Sequence, residues 1–383
     1  MPRAAGLPLT DPGCGPGHPP ARVPRARASL AGAVRVGSAA TALVVATAAL
    51  VVATASPAAA DPAGPSDFRS EVTTVVPEGA GVQAEVRGGD SFLELTVAPG
   101  TTVVVFGYTD GADGDGRGND PYLRFNPDGT VERNRMSSAT YLNEDRRGNV
   151  DVPPEANDPT ATPDWEQVAT GGRYAWHDHR IHWMLDGPPE GVGRGESVGG
   201  DYDPWVVPLS IDGQAARVEG TLTYEEATTP LPWIVGGLVG LGLLAWAGRR
   251  SPVPVACAAL TLAGALAVVA GRAELAESPA GVGANPLLWV LPALAAVAAA
   301  VGSFLARRVT GVVLALAAVA GLAGWGLLRF TTLLRPVLPT DLPPALDRLS
   351  VTAALAAAAG GAVLVVGSGA LRLPDLPDDD EAS

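Results

Sequence analysis

Hydrophobic positions along the chain follow two patterns that change near residue 230. Before this point, short stretches of alternating or β-branched residues are separated by Gly, Pro and Asp, a pattern typical of strands. The predicted strands are 71–76, 82–86, 92–97, 102–108, 122–125, 130–133, 173–177, 204–211 and 217–224. Their spacing predicts that residues 61–229 form one all-β domain, an Ig-like sandwich.

The segments between the predicted strands contain recognisable turn sequences. Asn126-Pro127-Asp128-Gly129 and Asp212-Gly213 have the residue types of tight hairpin turns. Residues 152–164, VPPEANDPTATPD, show no periodicity and predict a long surface loop.

After residue 230 the apolar residues form long uninterrupted runs. A bilayer is crossed by about 20 helical residues, because backbone polar groups in hydrocarbon must bond to one another. The runs 231–248, 254–271, 286–306, 309–328 and 349–371 contain no charged residue. Residues 230–372 are therefore predicted to be an all-α transmembrane bundle of five helices.

The first 60 residues have the order of an export signal. Arginines precede the apolar run 37–55, and small residues lead up to Ala60. We expect residues 1–60 to be a signal peptide with a long Arg- and Pro-rich beginning, cleaved after Ala60.

Paired arginines predict the orientation of the bundle. Arg249-Arg250 and Arg307-Arg308 lie in short connections between spans, and such pairs favour the cytoplasmic side. The expected product is a multi-pass plasma-membrane protein with residues 61–229 extracytoplasmic and the acidic tail 373–383 cytoplasmic.

The predicted spans are typical of an anchor in contact with the lipid bilayer. They contain no ionisable residue of the kind that pumps and ion pathways use at membrane depth. Gly236 and Gly240, at GxxxG spacing, and the pair Gly360-Gly361 predict close helix packing. A channel or a partner-binding bundle remains the alternative.

Charge excludes one class of partner. Residues 61–229 carry twelve Arg and thirty Asp or Glu. So acidic a domain repels phosphates, and we expect no nucleic-acid partner. Of the two cysteines, Cys14 lies in the leader and Cys257 in a span, so the domain must be stabilised by its own core.

An acidic loop at residues 110–120 raises the question of calcium. Its carboxylates alternate with glycines as in calcium-binding loops, but Arg117 occupies a ligand position and no terminal Glu follows. We therefore expect a solvated hairpin tip and regard calcium as the weaker interpretation.

A histidine cluster is the main candidate for chemistry. Three of the four histidines in the chain lie in YAWHDHRIHWM, at His177, His179 and His182. If the strand continues to residue 179, His177 and His179 share one face, and His182 joins them if the chain bends after Arg180. Met184 is a possible soft fourth ligand for copper, and Asp178 could orient a bound histidine through a hydrogen bond.

Two other interpretations of this cluster stay open. In the first, Tyr174, Trp176 and Trp183 are core aromatics, Asp178 and Arg180 form an ion pair, and the histidines only fill space. The domain is then structural or binds a partner. In the second, a histidine and an aspartate act in hydrolysis, although the nucleophile, zinc-protease and nucleotide motifs are missing from the sequence.

The segments DFRSEV, GDSFLELTV, PYLRFNPDGTVERNRMSSATYLNED and YAWHDHRIHWM resemble a group of actinobacterial integral membrane proteins. The similarity spans most of residues 66–227, and WHDHRIHW is its most specific part. The resemblance implies an association with copper-handling envelope proteins of the CopC/CopD kind and therefore a copper-related role, with other envelope metal-handling proteins as the expected partners. It brings no established activity, and the spans depart from CopD-like transporters in containing neither His nor Met.

The leading hypothesis is a non-enzymatic, membrane-anchored domain that binds a transition metal, copper first.

Overall fold

The computed structural model describes residues 63–108, 120–158, 160–185, 187–279 and 285–370. The predicted signal peptide, the acidic loop 110–120 apart from Asp120, and the predicted tail 373–383 lie outside these residues.

The amino-terminal part is a β domain, here residues 63–229, with two antiparallel sheets. Its strands are β1 (Phe68–Val76), β2 (Val82–Arg87), β3 (Phe92–Val97), β4 (Val103–Phe106), β5 (Pro121–Phe125), β6 (Val131–Asn134), β7 (Trp165–Ala169), β8 (Arg173–Trp176), β9 (Glu196–Ser197), β10 (Trp205–Ile211) and β11 (Gln214–Tyr224). The large sheet has the order β1-β11-β10-β4-β5-β6-β7, with β9 beside β11, and the small sheet has the order β2-β3-β8. A single turn of helix, α1 (Ala139–Leu142), follows β6.

The two sheets share one apolar core. Leu93, Leu95 and Trp176 from the small sheet belong to the same buried cluster as Leu123 and Trp205 from the large sheet. Along β10 buried and half-buried residues alternate strictly, as expected for a strand with one face on the core. The predicted all-β domain is confirmed at the level of two antiparallel sheets, and all nine predicted strands are present, while β7 and β9 were not predicted.

Turn chemistry explains the hairpin between β10 and β11. Asp212 and Gly213 both have positive φ, at 49° and 78°, which is the backbone that a two-residue hairpin turn of the predicted type requires. Ile211 then pairs with Gln214, and the register continues to Trp205 opposite Gly220.

Five long helices follow the β domain. They are α2 (Leu231–Ala247), α3 (Pro252–Glu277), α4 (Leu287–Phe304), α5 (Val309–Leu328) and α6 (Pro344–Gly367). The last four are long and apolar enough to cross a membrane, and α2 is equally apolar in character but has 17 residues. Large apolar side chains such as Leu238, Leu262 and Phe304 are exposed on the outer faces, as expected against lipid. The helices fit a multi-pass membrane protein, and the predicted helical bundle is confirmed.

Two helices extend beyond their predicted spans and bring charge into the bundle. Helix α3 continues to Glu277 and α6 begins at Pro344, so Glu274 and Asp347 are helical and buried. Arg329, at the end of α5, is also buried and forms ion pairs with both, at 3.1 Å to Asp347. The charge-free segments therefore stop where three helices meet in a buried ion cluster.

The β domain contacts the bundle at the same end as this ion cluster. Ser66 and Val337 exchange backbone hydrogen bonds of 3.0 and 3.1 Å between the amino-terminal segment and the α5–α6 connection. Arg87 pairs with Glu277 at 3.1 Å, and Asp67 pairs with Arg335. The β domain therefore lies directly on the ends of α3, α5 and α6.

The predicted glycine contacts are confirmed in one place and wrong in another. A Cβ at Gly360 would lie 2.4 Å from Leu244, and one at Gly361 would lie 3.2 Å from Val319, so both allow close packing. Gly236 has open space around it, and the GxxxG interpretation at this position is wrong. The closest backbone approach is at Gly271, where a Cβ would lie 2.0 Å from the Leu288 carbonyl oxygen on α4.

Replacing Gly271 by alanine tests this packing. The added methyl group meets backbone rather than a movable side chain, so Gly271→Ala should destabilise the bundle by about 1–3 kcal/mol. Gly236→Ala is the matched control, because it adds the same methyl group on a helix in open space. Thermal unfolding of the full chain in detergent should show a lower Tm for the first variant only, and equal Tm values would contradict the α3–α4 contact.

Candidate metal centre

The histidine segment leaves the small sheet earlier than the sequence predicted. Strand β8 ends at Trp176, which pairs with Leu93. A turn follows, in which the Ile181 N–H donates to the Asp178 carbonyl oxygen at 3.1 Å. The prediction that His177 and His179 share one face of a strand is therefore wrong, because the chain turns at Asp178.

The cause of this turn is the Asp178 carboxylate. It is fully buried and accepts hydrogen bonds from Trp176 Nε1 at 2.9 Å and from Arg180 Nε at 2.7 Å. The backbone N–H of Arg180 also donates to it, at 3.1 Å. Burial alone would raise the pKa of Asp178, but the charge and hydrogen bonds of Arg180 outweigh it and the pKa is lowered. The ion pair of the alternative interpretation is thus present.

Arg180 and Tyr108 connect this pair to the large sheet. The Arg180 guanidinium donates to the Phe106 carbonyl oxygen at 3.2 Å and lies over the Tyr108 ring, 4.8 Å from its centre. The Tyr108 hydroxyl accepts the backbone N–H of His179 at 2.8 Å and donates to Asn143 at 2.6 Å. Asp178 therefore fixes the backbone that carries the histidines.

The turn brings the three predicted histidines together. The ring centre of His182 lies 5.6 Å from that of His179 and 6.5 Å from that of His177. His177 packs on Phe92 at 4.3 Å, and His179 stacks on Tyr108 at 5.5 Å. His177 and His182 are buried and His179 is half-buried.

Two of the rings are each held by a backbone carbonyl. His179 Nε2 lies 3.0 Å from the Asp145 oxygen, and His182 Nδ1 lies 3.4 Å from the Trp183 oxygen. A carbonyl oxygen only accepts, so the proton is assigned to these nitrogens and the lone pairs to His179 Nδ1 and His182 Nε2. His182 Nε2 is buried and has no hydrogen-bond partner among the described residues. Metal-binding histidines are held in this way.

The loop that holds His179 was missed by the sequence reasoning. The Asp145 carboxylate accepts the backbone N–H groups of Arg147 at 2.8 Å and Asn149 at 2.9 Å, which closes a tight loop. These bonds, first that of Asn149, lower the pKa of Asp145. Gly148 has a φ of 66° and packs on His179, where a Cβ would lie 2.9 Å from Cε1. The sequence EDRRGN indicates a turn, but nothing in it indicates that the turn meets a histidine.

Burial, assisted by a neighbouring positive charge, keeps His182 neutral. Burial lowers the pKa of His182 well below its usual value, and the Arg146 guanidinium lowers it further. Arg146 is itself paired with buried Asp90 at 2.5 Å. At neutral pH His182 is therefore an uncharged imidazole, which is the form that binds metal.

The remaining predicted ligand, Met184, lies two residues after His182 and is half-buried. As the side chains stand, no group of three His, Cys, Asp or Glu within the described ranges is arranged to hold a metal ion. The three imidazoles thus form a cluster with two nitrogens prepared for a ligand, and ring rotation is needed before they share an ion.

Comparison with known proteins identified no relative. No protein-family model matches the chain, and no curated protein or solved structure matches it at a significant level.

The Asp178–Arg180 pair predicts a stability effect. Asp178→Asn removes the charge and leaves buried Arg180 without its counter-ion, which costs about 3–5 kcal/mol in comparable cases. Denaturation of the full chain in detergent, followed by tryptophan fluorescence, should show this loss, whereas exposed Glu78→Gln should change little.

The stabilising effect of the Asp178–Arg180 pair should depend on pH. The pKa of Asp178 is lower in the folded chain than its unfolded value of about 3.9, so its stabilising effect is present above that pH. It is lost as the pH falls through the folded pKa. The stability difference between wild type and Asp178→Asn should therefore narrow below about pH 4, and a constant difference would contradict the ionised pair.

Proposed function

We propose that the chain is a membrane-anchored protein whose β domain lies outside the cytoplasm and binds a transition metal, copper first, through His177, His179 and His182. The observation that carries the proposal is the pair His179 and His182, whose rings are 5.6 Å apart and are each held at one nitrogen by a backbone carbonyl.

The ring separations support a shared ion after small movements. A metal lies about 2.0 Å from each imidazole nitrogen it binds, so the centres of two such rings are about 5–6 Å apart. The pair His179 and His182 is in this range, and the pair His177 and His182, at 6.5 Å, lies just outside it. Rotation of His177 towards His182 is therefore the rearrangement that binding requires.

The charges around the cluster favour a monovalent ion. The Asp145 carboxylate and the Arg146 guanidinium both act on the histidines, so neighbouring charge supplies little net attraction for a dication. Repulsion by a guanidinium grows in proportion to the charge of the ion. Cu(I) suits such a site better than Zn(II), and the thioether of Met184 adds a soft ligand of the type that Cu(I) prefers.

The bundle serves this function as an anchor. In the described helices the buried charges lie at the end next to the β domain, where Arg329 forms ion pairs with both Glu274 and Asp347. Helix ends of this kind are suited to holding the domain in place. Envelope metal-handling proteins would be the partners of a site placed there.

Metal titration tests the proposal. The full chain in nanodiscs should bind Cu(I) stoichiometrically and more tightly than Cu(II) or Zn(II), as measured by competition with a chelator of known affinity. The triple variant His177→Ala, His179→Ala, His182→Ala should lose this binding. The matched control is the triple variant Gln83→Ala, Gln167→Ala, Gln214→Ala, which truncates three exposed, uncharged side chains and removes no ligand.

If wild type binds no copper, or if the triple variant binds it as wild type does, the metal proposal is wrong. A domain that folds normally without binding copper would then be structural or would bind a partner. In that case the Asp178–Arg180 network alone would explain why the histidines lie close together. A hydrolase screen on the same sample tests the catalytic alternative.

Met184 separates copper from zinc. Met184→Leu keeps the size of the side chain but removes the sulfur, so it should weaken Cu(I) binding by about tenfold. Its effect on Zn(II) should be small. Met136→Leu is the matched control at the other described methionine, and equal effects of the two variants would remove Met184 from the site.

A further inference from the structure

A cleft of about 660 Å³ lies where the β domain meets the α5–α6 connection. Its described lining includes four arginines, Arg146, Arg147, Arg194 and Arg335, and a single acid, Asp67. The charge balance of this lining is opposite to that of residues 61–229 as a whole, which contain thirty acidic residues and twelve arginines. The cleft is therefore suited to an anion.

Two of the arginines depend on one carboxylate. Arg335 pairs with Asp67, and Arg194 lies 3.5 Å from the same side chain. Among the described residues Asp67 is the only acid within ion-pair distance of either. Two positive charges thus share one negative charge, and both side chains keep solvent contact, with 48% and 32% exposed.

Arg194 is held in position for a ligand. Its Nη1 donates to the Glu225 carbonyl oxygen at 2.9 Å, and its guanidinium lies 4.4 Å from the centre of the Tyr224 ring. A guanidinium fixed in this way loses little side-chain entropy when it binds, and its planar donors match the oxygens of a phosphate.

The other wall of the cleft is aromatic. Phe68 stacks on Tyr224 at 5.2 Å and on Trp183 at 6.1 Å. Leu185, also in the lining, is 64% exposed. An anion that binds here therefore meets apolar surface beside the arginines, which favours an amphiphile over a small inorganic ion.

The position of the cleft indicates where such a ligand comes from. Arg335 belongs to the connection between α5 and α6, and Phe330 and Leu334 in the same connection expose apolar surface. The connection follows the apolar helix α5, and the end of such a helix is where a bundle meets lipid headgroups, whose phosphate oxygens match the planar donors of arginine.

We propose that this cleft binds the phosphate headgroup of an anionic phospholipid. Arg194 and Arg335 bind the phosphate oxygens, and the wall formed by Phe68, Trp183 and Tyr224 contacts the glycerol and the upper acyl chain. The cleft adjoins the histidine cluster, because Arg146 and Trp183 line it and both also act on His182, but the lipid proposal does not rest on metal binding.

The test uses the full chain in nanodiscs of phosphatidylcholine, with and without phosphatidylglycerol, and native mass spectrometry to count retained lipid. Wild type should retain phosphatidylglycerol in preference to phosphatidylcholine. The double variant Arg194→Gln, Arg335→Gln should bind it about tenfold more weakly, as expected when charge-assisted hydrogen bonds are lost. Arg217→Gln, an exposed arginine on β11 paired with Glu219, is the matched control and should behave as wild type.

Arg194→Gln alone keeps the contact between Arg335 and Asp67, so it tests the site even if the double variant does not fold. In detergent, inorganic phosphate and glycerol phosphate distinguish a soluble anion from a lipid. If either stabilises the chain as strongly as phosphatidylglycerol does, the lipid assignment is overturned. It is equally overturned if phosphatidylglycerol is not retained in preference to phosphatidylcholine, or if the arginine variants retain it as fully as wild type does.

Discussion

A buried carboxylate needs a cation and hydrogen-bond donors, and Asp178 obtains both from Arg180 and Trp176. Meeting this need bends the chain directly after β8, because the same carboxylate accepts the backbone N–H of Arg180. The bend returns His182 towards His177 and His179, and Tyr108 then fixes the His179 backbone from the large sheet. The histidine cluster is thus a consequence of neutralising one charge in the interior of the β domain.

Local pattern and hydropathy predicted most of the fold. Short alternating or β-branched stretches identified nine strands, and apolar runs identified all five helices, although α3 ends at Glu277 rather than at residue 271. Strand β9 was missed because its two residues are too few to show a period. Strand β7, WEQVA, was missed because it directly follows a Pro-rich stretch without periodicity. The shared face of His177 and His179 was wrong for a different reason. That prediction required strand β8 to continue to residue 179, whereas the buried ion pair of Asp178 and Arg180 bends the chain directly after Trp176.

In the helical half, too, local sequence patterns predicted the elements but not the contacts between distant segments. Hydropathy ends a predicted span at the first charged residue, so Glu274 and Asp347 were placed outside the helices. In the structure both are helical, and their burial is offset by ion pairs with Arg329 within the bundle. A glycine motif has the same limitation: Gly236 fits the GxxxG spacing, but Gly271 has the closest contact, and only the positions of neighbouring helices distinguish the two. The convergence of Asp145 on His179 is likewise a contact between distant segments.

The contact between the β domain and the bundle has a consequence for the order of assembly. Asp67 and Arg335 are 268 residues apart in the chain, and Ser66 and Val337 beside them exchange backbone bonds. Domains made first generally begin to fold while the rest of the chain is still being synthesised. The edge of the β domain around Asp67 cannot reach its final contacts until α5 and the start of α6 have been made and inserted. Biogenesis therefore includes a stage in which the β domain is nearly complete but its edge around Asp67 still lacks its contacts with the helices.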